Sequence, residues 1–303
     1  GLSLSFGTVS SEMIVVVSMV LLAVVSSMGA TPVPAKPLAD AQVLRVMQWN
    51  PHWQCWSNKD CATHASSALT QLLTTANLDF ANVIELETAY TPPKGWAALG
   101  AYESCGNPYG DWDTLFYNTD RWSLLTNETG CMYTDRSFTL GVFASATNPA
   151  RTVVPVGAHF PQTLNASTGA YDDSVATLKA AIMKQAVHLG TPQVVLMADT
   201  NTEGPEAAAS SPSHNGVNKT NGELLYDLGF WPDPSKNPPS APLFKGCCGG
   251  EDPPFAWEGD RIVANFGAPP APVATILFDP APAWATFNNS EFHKGVILEL
   301  HFD

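Results

Sequence analysis

The chain has 303 residues, 45 % of them hydrophobic and only 14 % charged, so a large core is possible and wholesale disorder is excluded. Twenty-eight acidic residues against 14 basic ones give a formal charge of -14. That balance excludes a generic nucleic-acid coat, which needs Lys and Arg against phosphate. It leaves room for phosphate chemistry, because one bound divalent cation reverses the local field.

The first element is the apolar run "MIVVVSMVLLAVV" (13–25), followed by the small residues of "SSMGA" (26–30). A run this short, with a small-residue exit, suits a secretory h-region and cleavage site better than a span of about 20 residues. Residues 1–30 therefore read as a signal peptide, with a signal anchor as the alternative. No Lys or Arg precedes Lys36 to supply a basic n-region. A linker over 31–40 begins with "TPVPAKP", and one folded domain is expected over 41–303. The mature protein is expected to be extracellular, monomeric and without a membrane span. Six cysteines (Cys55, Cys61, Cys105, Cys131, Cys247 and Cys248) fit that compartment. Six cysteines allow fifteen connectivities, of which spacing makes Cys55–Cys61 and Cys105–Cys131 plausible without settling the map, and no cluster has the spacing of a structural zinc site. Sequons at Asn127, Asn165, Asn218 and Asn288, all in turn-like surroundings, agree with glycosylation on export.

Past the linker, "AQVLRVMQWN" reads as a strand ending at Asn50 and "HASSALTQLLTTAN" (64–77) as a helix. "LDFANVIELE" (78–87) reads as a strand with Asp79, Ala81, Val83, Glu85 and Glu87 on one face. "WDTLFYNTDRWSLL" (112–125) and "FTLGVFASAT" (138–147) look like adjacent strands joined by turns. "RTVVPVGAHFP" (151–161) is another strand, ending near His159. "YDDSVATLKAAIMKQAVHLG" (171–190) is an amphipathic helix stopped by Gly190, and it leads into the strand "QVVLMADTN" (193–201). Residues 202–254 read as long irregular loops around a short helix at 223–228. "GDRIVANF", "VATILF" and "GVILELHF" close the chain as strands. Interleaved strands with few helices favour two packed sheets with helices outside over a doubly wound parallel sheet.

These strands share a habit: they end on polar residues. Asn50 closes the first, Glu85 or Glu87 the second, His159 a later one, and Asp199 with Asn201 the next. Asp260 opens a strand and His293 precedes the last. Singly, each has an ordinary reading, since Asn and Asp form turns by bonding to nearby backbone. Together they point to a site gathered at the strand ends.

The ordered set "RVMQWN", "DFANVIELE", "AHFP", "ADTN", "GDRIV" and "SEFH" resembles the endonuclease/exonuclease/phosphatase superfamily, typified by deoxyribonuclease I. Its members carry a strand ending in Asn, then D-x-x-x-x-Q-E, HL, GDFN, DRI and SDH, in that order. The resemblance covers about residues 43–303. It implies an α/β fold, a four-layer sandwich of two packed mixed β-sheets flanked by helices, and metal-dependent phosphoester hydrolysis. By the same resemblance, Glu85 or Glu87 holds Mg²⁺ (or Ca²⁺ or Mn²⁺) with Asn50 nearby. Asp199 orients or deprotonates the attacking water, and Asn201 binds the phosphate or positions Asp199. His293, held by Asp260, forms a His–carboxylate pair, and His159 is a second histidine facing the scissile phosphate. Tyr109 and Asp111 stand at the spacing of the tyrosine and glutamate that support that histidine in the family.

Family spacing from Asp79 selects Glu85, whereas the local "LET" favours Glu87. The acid that normally precedes the final histidine is absent: Phe292 stands there, with Glu291 one residue earlier. Only five arginines are present, at 45, 121, 136, 151 and 261, which is sparse for tracking a nucleic-acid backbone. The expected substrates are therefore small or extracellular phosphodiesters or phosphomonoesters, with no stable nucleic-acid complex. An extracellular deoxyribonuclease-like endonuclease is one alternative, and a noncatalytic binding module that retains the fold is another.

Overall fold

The computed structural model describes residues 43–87, 89–100, 102–103, 105–106, 111–162, 169–202, 219–243, 245–247, 258–267, 276–278 and 293–302. The expected signal peptide and linker, Tyr109, and the sequons at Asn165, Asn218 and Asn288 lie outside these residues. Among the described residues no helix is long and apolar enough to cross a membrane.

In chain order the elements are β1 (Val43–Trp49), α1 (Trp53–Ser57), α2 (Lys59–Thr75), β2 (Phe80–Ile84), β3 (Trp96–Leu99) and β4 (Tyr102–Glu103). Then come β5 (Asp111–Asn118), β6 (Trp122–Tyr133), β7 (Arg136–Ser145), β8 (Thr152–His159), α3 (Ala170–Ala186) and β9 (Val194–Asp199). The chain ends with α4 (Asn221–Asp227), β10 (Asp260–Ala264), β11 (Ile276–Phe278) and β12 (Gly295–His301). One sheet runs β11-β12-β1-β2-β5-β3, with β4 also paired to β5, and the other runs β10-β9-β8-β7-β6. Both are mixed: β1–β2 and β8–β9 are parallel and the remaining pairs antiparallel.

The period-2 alternation of each strand builds the layers. Leu44 and Val46, Phe80, Leu115, Phe143, Val153, Val195, Met197, Ile262, Val296 and Leu298 face inward and form the core between the sheets. Met47, Trp49, Ala81, Val83 and Phe116 face outward and pack under Ala65, Leu69 and Leu73 of α2. Leu140, Val154, Val156 and Leu196 cover the far side of the second sheet under Val175, Leu178 and Ile182 of α3. The result is the four-layer sandwich expected from the sequence. Asn58 caps α2, accepting from the N–H groups of Asp60 and Cys61. Asp172 and Asp173 sit in the first turn of α3, where the helix dipole favours them.

Several expectations need correction. The strand read over 78–87 stops at Ile84, because Glu85 adopts a left-handed φ of 56. Asp79 does not join the site. It accepts from the Arg45 backbone N–H and from Trp122 Nε1, both at 2.7 Å, and pairs with Arg121 at 3.1 Å. Burial raises its pKa to about 6 despite the Arg121 charge. The expectation of adjacent strands holds for β6 and β7 but not for β5, which belongs to the other sheet. Alternation reveals a buried face but not which sheet a strand joins. α1 has no counterpart in the sequence reading, and the sequon residue Asn127 is an exposed position within β6 rather than a turn.

The two disulfides favoured by spacing, Cys55–Cys61 and Cys105–Cys131, are formed, and Cys247 is disulfide-bonded too. On β10, Arg261 is almost fully buried. It donates to three backbone carbonyls: Thr202 at 3.1 Å, Glu258 at 3.4 Å, and Lys219. Burial lowers its pKa to about 10, with Glu258, Tyr171, Glu223 and Asp199 opposing the shift.

Candidate active site

At one end of the inter-sheet core, the inward-facing rows change from apolar to polar. On β1 the row Leu44, Val46 continues as Gln48 and then Asn50. On β9, Val195 and Met197 are followed by Asp199. On β8, Val153 leads through Gly157 to His159, and on β10 the inward row begins with Asp260 before Ile262. The strand register then places His159 beside Asp199, and Asp199 beside Asp260, on three consecutive strands. The opposite sheet closes over them. The His293 backbone N–H donates to the Asn50 carbonyl at 3.0 Å, and Trp49 Nε1 donates to the His293 carbonyl at 3.3 Å.

Asp199 is the centre of the group. Its Oδ2 accepts from Asn50 Nδ2 at 3.1 Å and lies 3.7 Å from His159 Nε2 and 3.6 Å from His293 Nδ1. Its Oδ1 accepts from the Asn201 backbone N–H at 3.0 Å. Burial alone would raise its pKa, but the His293 and His159 charges and the two donors outweigh burial and lower it. Asp199 is therefore an anion at neutral pH.

His293 Nδ1 is 2.6 Å from Asp260 Oδ2, at the short end for a charge-assisted bond. Burial works against the imidazolium, yet the Asp260 charge and hydrogen bond, with Asp199 and Glu85 beyond, raise its pKa to about 9. Burial and the Asp199 charge push Asp260 upward, and its bond to His293 resists that. With its pKa raised to about 9, the imidazole keeps its proton at neutral pH.

Asn201 has a left-handed φ of 47 and donates its amide to the Phe160 carbonyl at 2.8 Å. Its backbone geometry suits the positioning of Asp199. Glu85 also reaches the group: Oε1 lies 3.9 Å from His159 Nδ1, and Oε2 accepts from the Trp53 N–H at 2.9 Å. The left-handed turn brings it there, because continued alternation after Ala81 and Val83 would have aimed it at α2. Glu87 lies two residues further on, with its N–H bonded to the Glu85 carbonyl. Between the two, the contact to His159 seen among the described residues is that of Glu85. Asp111 opens β5 opposite Glu103, and its side chain is outside the described set.

The donor chemistry fits a hard divalent cation. Glu85 and Asp199 offer carboxylate oxygens, and the Asn50 amide oxygen, which accepts from the His52 N–H at 2.9 Å, keeps a second lone pair, all oxygen ligands of the kind such ions prefer. Asp199, Asp260 and His293 also present ligand atoms within 4.8 Å of one another. In that trio His293 Nδ1 is already engaged with Asp260, so the geometry describes a hydrogen-bonded pair beside an anion. Two residues escaped the sequence reading. Gln48 donates to Asp260 Oδ1 at 3.1 Å, and Arg136 donates from Nε to the Phe160 carbonyl at 3.2 Å, next to His159. Gln48 could have been found from its alternation with Asn50. Nothing in the sequence marks Arg136.

No family model and no curated protein matches the chain. Solved structures do match. An endonuclease/exonuclease/phosphatase from Bacteroides vulgatus gives a TM-score of 0.59 at 15 % identity, covering 86 % of this chain and 99 % of that one. A mannosyl-6-phosphatase from Bacteroides thetaiotaomicron gives 0.54 at 14 % identity, covering 86 % and 100 %. The human Nocturnin catalytic domain, solved with a bound sulfate anion, gives 0.52 at 14 % identity, covering 86 % and 95 %. At such identities the likeness is one of fold, and it agrees with the order of motifs along the chain.

Proposed function

We propose that this chain, built on the endonuclease/exonuclease/phosphatase fold, is a divalent-metal-dependent hydrolase of small phosphoesters that acts as a monomer outside the cell. The observation that carries the reading is Asp199, a buried carboxylate kept anionic between two histidines, the Asn50 amide and the Asn201 N–H. Phosphoester hydrolysis requires a poised water, neutralised phosphoryl oxygens and a proton for the leaving group. Asp199 takes the proton of the attacking water. His293, held protonated by Asp260, faces Asp199 and supplies positive charge and a proton on the other side. Glu85 and Asn50 would hold Mg²⁺, Mn²⁺ or Ca²⁺, which supplies Lewis-acid neutralisation of the phosphoryl charge when bound.

Substrate size follows from charge. With five arginines and a net charge of -14, the chain lacks the basic surface whose counterion release drives binding to a long polyanion. Disulfides support an oxidising compartment, in line with residues 1–30 as a signal peptide. The decisive experiment is a hydrolysis screen of the purified protein on a bis-aryl phosphate, a simple monoester, a lysophospholipid head-group diester and supercoiled plasmid, with and without chelator. Small esters should be turned over at least as efficiently as plasmid, chelation should abolish turnover, and Asp199→Ala should cost at least about a hundredfold. Undiminished activity in chelator or in Asp199→Ala sinks the mechanism. Strong plasmid nicking without small-ester turnover makes the protein a nuclease instead.

A further inference from the structure

The core between two sheets is normally apolar, yet here two neutral amides lie wholly inside it. Gln48 on β1 and Asn82 on β2 are inward-facing neighbours in the parallel register, and both are fully buried. Burying such groups carries a cost unless they are hydrogen-bonded. The bonds they make form a directed row. Asn82 Nδ2 donates to Gln48 Oε1 at 2.9 Å and to the Met197 carbonyl at 3.1 Å. Gln48 Nε2 donates to Asp260 Oδ1 at 3.1 Å, and Asp260 Oδ2 is bound to His293 Nδ1.

The direction of the row follows from one atom. A backbone carbonyl can only accept, so the Asn82 group facing Met197 must be the NH₂. That NH₂ spends its second hydrogen on Gln48, so Gln48 must present its oxygen to Asn82. The other end of Gln48, facing Asp260, is then a donor and cannot rotate to become an acceptor. A donor on Oδ1 leaves Oδ2 as the oxygen turned to His293 and fixes the carboxylate plane. Gly157 on β8 makes room for this row, since a Cβ there would stand 2.0 Å from Asn82 Oδ1.

We infer that Gln48 and Asn82 are positioning residues: the amide row across the sheets sets the rotamer of Asp260 and, through it, the orientation of the His293 imidazole toward Asp199. The inference rests on the proposed hydrolysis for its kinetic test, but its spectroscopic test does not.

In protein labelled with ¹⁵N-histidine, the His293 Nδ1 proton should resonate far downfield, as a short bond to a carboxylate requires. Gln48→Met, which keeps length and volume, should move or broaden that signal whether or not any ester is hydrolysed. With a turned-over phosphoester, the same variant should lower kcat about tenfold, a factor within reach of one hydrogen bond to a charged group, and leave KM within about twofold. In an Asp260→Asn background the substitution should change kcat by less than about twofold, because the group it acts through has lost its charge. Should Gln48→Met fail to fold, Asn82→Ala frees the Gln48 amide to turn, and a shifted histidine signal is expected there as well. An unshifted signal in the folded variant overturns the inference. So does an equal loss of kcat in both backgrounds, which would mean that Gln48 serves packing alone. A wild-type protein that shows the signal and its shift but hydrolyses nothing keeps the row and removes the proposed activity.

Discussion

Raising the pH of the metal-free protein should cost it stability in a defined window, because of His293. An unfolded chain titrates histidine near 6.5. In the native protein burial opposes the charge, but Asp260, Asp199 and Glu85 together hold the imidazolium to about 9. Below pH 6.5 both states carry the proton and the stabilisation is complete. Between 6.5 and about 9 the unfolded state loses its proton first, so stability falls as pH rises, and above 9 the contribution is gone. The gap corresponds to about 3 kcal/mol at ~1.4 kcal/mol per pH unit. Urea titrations in chelator at pH 6, 7.5, 9 and 10 would read it, and a loss of that size moves the midpoint by about 1 M or more. Two other shifted carboxylates act in more acidic windows. Asp79, raised to about 6, lowers stability as pH climbs toward 6, and Asp199, whose pKa is lowered, loses its contribution only as pH falls through the acid range. His293→Gln should flatten the alkaline slope. A wild-type midpoint that stays constant from pH 6.5 to 9, or a His293→Gln variant with the parent's slope, would refute the assignment of the charge to His293.

Gly157→Ala forces a Cβ to 2.0 Å from Asn82 Oδ1 and 2.7 Å from Asp113 Oδ1, an overpacking that should cost about 1–3 kcal/mol and lower Tm by about 2–4 °C per kcal/mol. Calorimetry checks it, and a wild-type Tm would mean the sheets can part at little cost. Glu85→Gln should raise the metal concentration needed for turnover steeply while Glu87→Gln titrates like the parent, and the reverse outcome would move the ligand to Glu87. Removing Cys105–Cys131 should destabilise more than removing Cys55–Cys61, since the loops span 26 and 6 residues, a difference of about 1 kcal/mol on the chain-entropy account. Paired Cys→Ser variants compared by denaturant melts decide it.

The layers and most of the site were legible in the sequence, because alternation ties a strand's polar end to the same face as its apolar body. Asn50, His159, Asp199 and Asp260 were placed by their positions at strand ends and by the order of motifs, and the structure brings all four together with His293. The choice between Glu85 and Glu87 was not legible, since it turns on a single left-handed φ at Glu85 that ends the strand at Ile84 rather than at 87. Asp79 shared the face assigned to Glu85 and was drawn instead to Arg121 and Trp122, partners more than 40 positions away that no local pattern announces. Alternation puts Gln48 on the face of Asn50, but its partner Asp260 lies 212 positions away, and no local pattern announces that bond.

Arg261 has a consequence for how this chain can change over evolution. One buried guanidinium grips the carbonyls of Thr202, Lys219 and Glu258, so the chain departs at 202 and returns at 219 from points tied to the same side chain. With both ends fixed in this way, added flexible length between them costs the domain little: each doubling of a flexible loop costs only about 0.6 kcal/mol of closure entropy. Insertions, deletions or whole exchanges between Thr202 and Lys219 are thus insulated from Asp199 and Asp260, which sit on the strands the clamp joins. The same two positions are the natural cut points for grafting a foreign segment onto the scaffold.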